Sequence, residues 1–309
     1  MGSDRPLRRK AIKLAATLLL GSRRAHAYDR FPGLTLRRAV DGSGEILYRG
    51  KPAGHLLPSD ALASRSGRVI TLVGSGPSAG QADFSALPPH SALLLNGALA
   101  LMPDRIAAPL AVAIEDDRFV YRHFDQFLKT LDPNLPCLLS VSVLRALLEQ
   151  DRGWLINRPV LLIDNLLKPY GAGRIRIDAL ADRSDVLVNQ ARTAALSRDP
   201  VKGVVQAGSV AISALQFALA CRPRQIGFIG IDISNAGEPR FYERGGNSAF
   251  SGIAGAEARI LDHIRLARLL ADERGVALVN HSPVSALAKC GLPFDDALIK
   301  SPPRPQDLS

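Results

Sequence analysis

At 309 residues the chain can hold one large α/β domain or two small ones, with an ample core. Its 47% hydrophobic and 22% charged residues are those of a soluble globular protein, and 5% aromatics are too few for a platform that stacks single-stranded nucleic acid. The net charge of +10 sits mainly at one end: Arg5, Arg8, Arg9, Lys10, Lys13, Arg23, Arg24 and Arg30, against Asp4 and Asp29, put +6 in residues 1–31. Cys137, Cys221 and Cys290 are odd in number and far apart, which fits neither a disulfide framework nor a zinc site and suits a reducing compartment.

Residues 1–27 carry pieces of a secretory signal, with Ala25-His-Ala27 as a cleavage-like triplet and Leu18-Leu-Leu20 as an apolar stretch. Lys13 interrupts the apolar run, and Arg23-Arg24 stand where small neutral residues belong, so the segment is not read as a signal. No run of about 18 apolar residues exists to span a bilayer. Two readings stay open. One is a basic amphipathic helix, with Leu7, Ala11, Leu14, Ala15 and Leu18 on one side and Arg9, Lys10 and Lys13 on the other, lying on an anionic membrane face. The other is a solvated tail. Residues 28–67, with turns at Pro32-Gly33, Asp41-Gly42 and Pro52-Ala-Gly54 and strand-like Glu45–Tyr48, complete an N-terminal extension packed on the main domain.

The main domain starts with Arg68–Val73, a short β-branched run suited to a strand buried on both faces. Gly74-Ser75-Gly76-Pro77-Ser78 follows, a tight turn with helix-opening residues whose free N–H groups attract an anion. Ser91–Asn96 is a second strand, which places the Asn96 amide at the carboxyl edge where open α/β sheets bind ligands. A third run, Ile106–Ile114, stops at Glu115-Asp116-Asp117-Arg118-Phe119. Cys137–Ser140 and Pro159–Ile163 read as strands, with a helix over Val141–Gln150 between them. Residues 164–200, rich in Arg, Asp and Gly, read as a mobile loop or lid.

Further on, Gly208 and Ser209 open a small-and-apolar helix over Val210–Cys221 and leave N–H groups and a hydroxyl facing a ligand. A buried strand over Arg224–Gly230 ends in Gly230-Ile231-Asp232, with a polar loop holding Arg240-Phe241-Tyr242 after it. An amphipathic helix over Ala254–Glu273 and a strand over Val276–Asn280 close the domain. The alternation of strands and helices predicts a Rossmann-like, doubly wound and mainly parallel sheet over 68–300, behind a basic extension over 1–67.

Five short motifs in one order carry a resemblance. Gly76-Pro77, Asn96-Gly97, Asp116-x-Arg118-Phe119, Gly230-Ile-Asp232 and Arg240-Phe-Tyr242 resemble those of the CMP-sialic-acid-dependent sialyltransferases of bacterial lipooligosaccharide. They are closer still to the transferases that add an extra Kdo residue to the lipopolysaccharide inner core, the WaaZ type. The resemblance spans roughly residues 68–282. It implies an inverting glycosyltransferase that takes a CMP-activated keto-acid sugar, uses no metal or other cofactor, and acts on a lipopolysaccharide acceptor. The basic N-terminus fits an anionic lipid-linked acceptor at the inner membrane, and the reduced cysteines fit its cytoplasmic face. The resemblance places Gly74, Ser75, Gly76, Pro77, Ser78, Asn96, Gly208, Ser209, Gly230 and Asp232 around the nucleotide. Arg240 and Tyr242 become candidates for stabilising charge on the departing CMP.

The sialyltransferases use a histidine as base in the region corresponding to Ser248–Ala258, which here has none. Asp116 is the preferred substitute, with Asp232, His123, His263 and His281 as further candidates. Two other readings are kept. A pterin diphosphokinase or flagellin-modifying enzyme would bind Mg²⁺ and ATP through Glu115-Asp116-Asp117. A non-catalytic nucleotide-binding protein would have kept the turn and lost the base.

Overall fold

The computed structural model describes residues 5–232, 240–242 and 254–299. The chain opens with α1 (Leu7–Arg24) and a meander of β1 (Leu34–Arg38), β2 (Gly44–Tyr48) and β3 (Lys51–Leu56). Strand–helix units follow: β4 (Val69–Val73), α2 (Pro77–Gln81), β5 (Ala92–Leu95), β6 (Ala111–Ile114), α3 (Asp117–His123), β7 (Cys137–Ser140), α4 (Val141–Gln150) and β8 (Pro159–Ile163). A short hairpin of β9 (Val186–Val188) and β10 (Ala195–Ser197) precedes α5 (Val210–Ala220), β11 (Gln225–Ile229), α6 (Glu257–Glu273) and β12 (Ala277–Asn280).

Ten strands form one sheet in the order β1-β2-β3-β8-β7-β6-β5-β4-β11-β12. From β3 to β12 every neighbouring pair is parallel, and only the β1–β2–β3 meander is antiparallel. The segment expected as an extension therefore adds three strands to the sheet, because β3 pairs with β8. The central strands alternate between two apolar layers, as a strand buried on both faces must. Leu72, Leu93, Leu95, Ala113 and Leu138 pack on α5 and α6, while Val73, Leu94, Val112, Ile114 and Leu139 pack on α3 and α4. The run expected over Ile106–Ile114 is strand only in its last four residues, Ala111–Ile114.

The stretch 164–200 is not a bare lid. Leu166, Leu180, Val186 and Ala195 bury one another with Val205, and this small apolar core orders the β9–β10 hairpin. Gln216 of α5 explains how the hairpin is attached. It is fully buried, accepts from the backbone N–H groups of Ser197 and Val205, and donates to the carbonyls of Val205 and Ile212. All its hydrogen-bonding capacity on the backbone is used, so its burial is tolerated and the chain leading into α5 is fixed.

Of the two readings of the N-terminus, the helix forms. Its orientation differs from the expected one: Arg9 is 1% exposed and donates to the carbonyls of Phe31 and Tyr28, so it faces inward rather than toward a basic surface. Arg145 of α4, with its side chain fully buried, donates to the Asp29 carbonyl, to Glu149 and, at 2.7 Å, to Asp117. Arg5 takes the other oxygen of Asp117 at 2.7 Å. Arg145→Leu would strip the main cation from two buried carboxylates, and because Arg5 still pairs with Asp117 the expected cost is about 3 kcal/mol, at the low end for a broken buried pair. A fall in the urea midpoint with an unchanged slope measures it.

Candidate functional site

β5–β8 step away from β4 on one side, and β11 and β12 lie on the other. The order reverses between β4 and β11, the switch point outside which open α/β sheets bind ligands. Here the two strand ends nearly touch: a Cβ on Gly74 would lie 2.3 Å from the Gly230 carbonyl oxygen. Gly74 and Gly76 donate their N–H groups to the carbonyls of Ile229 and Gly230.

Asp232 locks this junction. Its carboxylate accepts from the Ser78 N–H at 2.8 Å, the Ser78 hydroxyl at 2.7 Å and the Ser282 hydroxyl at 2.8 Å. The Ser78 hydroxyl also accepts from the Gly230 N–H. Ser78 was expected to face the nucleotide. It does not line the cleft, because both its donors are spent on Asp232 beneath the turn. Asp232 reaches the cleft wall but is 7% exposed and engaged by both serines, which suits a pin better than a ligand or a base.

Above the pin opens a cleft of about 470 Å³, a normal size for a small-ligand site. Gly74, Ser75, Gly76, Pro77, Asn96, Gly208, Ser209, Gly230 and Asp232 line it together with Asp116, Arg240 and Tyr242. The glycine–proline turn and the start of α5 thus face one space. Ser209 caps α5, its hydroxyl oxygen accepting from the Ala211 N–H, which leaves the hydroxyl proton available. Asn96 has a left-handed backbone (φ 46°), and its buried Oδ1 has no hydrogen-bond partner among the described residues. A buried amide oxygen without a partner is uncommon, since most buried polar atoms are hydrogen-bonded.

Tyr242 is held by its surroundings. Its ring meets His123, Phe127 and Phe241 edge-on at centroid distances of 5.8, 5.7 and 5.6 Å. Gly97 makes room for it, since a Cβ there would come within 2.5 Å of the tyrosine hydroxyl. Arg240 donates to the Ser75 hydroxyl at 3.4 Å, which brings it against the turn.

The acidic run after β6 divides. Asp117 turns inward to Arg145 and Arg5. Asp116 caps α3 and is gripped by its neighbour, the Arg118 Nε and Nη2 lying 2.7 and 2.5 Å from Oδ2. Burial would raise its pKa, but the side-chain and backbone hydrogen bonds from Arg118 outweigh that and hold it below the usual carboxylate value. Glu115 faces the cleft and accepts from the Ser213 hydroxyl of α5 at 2.5 Å. Burial pushes its carboxyl up to about 7, against the opposing Ser213 hydrogen bond. Among the described residues no three His, Cys, Asp or Glu side chains gather as metal ligands. The split of the acidic run counts against the Mg²⁺-ATP reading.

Of the histidines proposed as bases, His123 lines the cleft. His263 is 1% exposed between the Arg259 carbonyl and the Ala195 N–H, and burial lowers its pKa. His281 is 5% exposed and bonded to the Asp295 carbonyl. Both are core residues. The region Ser248–Ala258, where a histidine was sought, lies largely outside the described residues.

Sequence reasoning missed Glu115 as a cleft residue in its own right, and missed Asn165, Lys168 and Gln206 on the far wall. Position carried a signal for Gln206, which directly precedes Ala207-Gly208-Ser209, and for Asn165, two residues past the end of β8. Arg5, Tyr28 and Asp29 also line the cleft, and nothing local in the sequence links them to it.

Over residues 59–287 the chain matches the family described as 3-deoxy-D-manno-octulosonic acid transferase WaaZ. No curated protein matches it. Among solved structures, the sialyltransferase CstII from Campylobacter jejuni, in complex with the substrate analogue CMP-3FNeuAc, is 12% identical with a TM-score of 0.38, covering 76% of this chain and 89% of that one. A point mutant of the α-2,3/8-sialyltransferase CstII is 14% identical with a TM-score of 0.35, covering 75% and 88%.

If Asp232 is the pin of the switch point, Asp232→Ala strands the buried Ser78 N–H and is expected to cost about 3 kcal/mol. Chemical denaturation checks it, and a residue serving only as a ligand contact would leave stability unchanged.

Proposed function

Because the chain belongs to the WaaZ family of 3-deoxy-D-manno-octulosonic acid (Kdo) transferases, we propose that this glycosyltransferase draws Kdo from CMP-Kdo in the switch-point cleft and passes it, with inversion and without a metal, to the lipopolysaccharide inner core. The observation that carries this reading is the meeting of the Gly74–Pro77 turn and the Gly208-Ser209 helix start on one cleft. CMP-Kdo carries one phosphate and one carboxylate. The positive end of α5, with the Gly208 and Ser209 N–H groups, suits the phosphate. Arg118, Arg122, Lys168 and Arg240 line the same walls and supply a field that attracts a dianion. Asn96 meets the nucleoside through its unpartnered Oδ1.

In the transfer, the acceptor oxygen attacks the anomeric carbon of Kdo from the face opposite the phosphate. The bond from that carbon to the phosphate oxygen breaks, and CMP departs with the electron pair. Arg240 and the Tyr242 hydroxyl stand where that charge develops, and donors fixed in advance lower the barrier. Asp116, bound up with Arg118, acts in this reading by holding that guanidinium at the cleft rather than by taking a proton.

The lipid-linked acceptor gives α1 a role. No helix among the described residues is long and apolar enough to cross a membrane. Yet Leu7, Leu14 and Leu18, which share one face of α1, are 80, 62 and 76% exposed, with Arg8, Lys10 and Lys13 exposed on the same helix. An apolar stripe flanked by cations suits the surface of an anionic bilayer. Arg5 and Tyr28, which flank this helix in the chain, line the cleft, so docking by α1 would hold the cleft close to the lipid.

Incubation with CMP-Kdo and a lipid A–core acceptor is expected to release CMP at a rate unchanged by EDTA. No turnover with any CMP-linked acid sugar overturns the proposal. Tyr242→Phe is expected to lower kcat about tenfold to a hundredfold, as the loss of one transition-state hydrogen bond does. Sedimentation with phosphatidylglycerol vesicles tests the helix: the wild type pellets, and Leu14→Glu with Leu18→Glu stays in the supernatant.

A further inference from the structure

We propose that Glu115 is the general base of the transfer, the side chain that takes the proton from the acceptor hydroxyl. The inference rests on the donor reading above. Glu115 is the first residue past β6, at the carboxyl edge of the sheet, and it lines the cleft with Asn96, Gly208 and Tyr242. Its Oε2 is held by the Ser213 hydroxyl on the second turn of α5. That one anchor fixes the carboxylate and leaves Oε1 for the acceptor.

Three of the other carboxylates near the cleft are committed, and a fourth, Asp29, belongs to the arginine cluster of Arg145, Arg9 and Arg5. Asp116 is gripped by Arg118 and approached by Arg5, Asp117 is buried against Arg145, and Asp232 is pinned by Ser78 and Ser282. His123 is the rival within the cleft, but its ring packs on Phe119, Phe127 and Tyr242 and its Nδ1 lies 3.0 Å from the Gln126 side-chain oxygen.

The charges around Glu115 set its basicity. Burial raises its pKa, the Ser213 hydrogen bond lowers it, the neighbouring Asp116 raises it and Lys168 lowers it, for a value of about 7. A base works best when its pKa lies near the working pH, and this one is half ionised there. The step balances. The acceptor O–H proton passes to Glu115 as its oxygen bonds to the anomeric carbon, CMP leaves with the bonding pair, and protonated Glu115 returns its proton to water.

The test uses the full chain with CMP-Kdo and lipid A–core acceptor, following kcat against pH. The wild-type rate is expected to fall on the acid side with a midpoint near 7, because the base must be ionised. Glu115→Gln is expected to lose about a hundredfold or more in kcat and the acid limb with it, while calorimetry still detects CMP binding. Ser213→Ala removes a donor that favours the ionised form, so its acid limb moves to higher pH. That variant decides the matter if Glu115→Gln does not fold. A Glu115→Gln enzyme that keeps its rate and limb, a Ser213→Ala limb that does not move, or an acid limb lost in His123→Asn with Glu115 intact overturns the assignment while the donor reading stands. A wild type that releases no CMP overturns the donor reading itself, and the base with it.

Discussion

The carboxylate of Asp232 ties three strand ends together. Residues 154 and 50 positions away in the chain, Ser78 and Ser282, both hydrogen-bond to it, so the segments after β4, β11 and β12 converge on one buried charge. A buried carboxylate is costly unless its oxygens are satisfied, and here a backbone N–H and two hydroxyls do so. The glycines beside it follow from this convergence. A side chain at Gly74 or Gly230 would strike the facing backbone, and one at Gly76 would strike Asp232 itself. The cleft exists because these strands end so close together and the chain must then leave the sheet in two directions.

The same accounting sorts the acids around the cleft. The hydrogen bonds from Arg118 hold Asp116 below the usual carboxylate value, while Asp117 is paired with Arg145 and Asp232 is taken up by serine donors. Glu115, half-buried in the cleft wall, has the Ser213 hydroxyl as its hydrogen-bond donor, and loss of water around the carboxyl raises its pKa. Neighbouring acids therefore differ in basicity through the direction each side chain takes at the end of β6. This is the separation of pKa values by environment that acid–base chemistry draws on.

Much of this was legible in the sequence. Short β-branched and leucine-rich runs separated by helical patterns specified a parallel sheet buried on both faces, and the turns after β4, β5 and β11 marked its ligand edge. What local pattern could not give was pairing at a distance. Ser78 reads as a helix-opening ligand until Asp232 is seen beneath it. In Glu115-Asp116-Asp117 three carboxylates in a row look equivalent, and only the placement of Ser213, Arg118 and Arg145 tells them apart. The stretch 164–200 looked open because its apolar residues are sparse, yet Leu180, Val186 and Ala195 meet across a fold-back that no short window displays.

Helix α1 carries this furthest. Periodicity identified an apolar and a basic face, and the ordinary expectation is that the apolar face packs inward. Here arginines do the docking instead: Arg9 is buried on two backbone carbonyls, Arg5 pairs with Asp117, and the half-exposed Arg8 reaches Glu149 at 3.0 Å, while Lys10 and Lys13 stay exposed. Hydrogen bonds to carbonyls and to buried carboxylates are directional, so they fix the helix in orientation without consuming its leucines. The apolar stripe then points to solvent, an arrangement that is unfavourable in water and favourable at a lipid surface. Because Arg5 sits both on that helix's anchor and in the cleft wall, the contact that orients the helix also shapes the site.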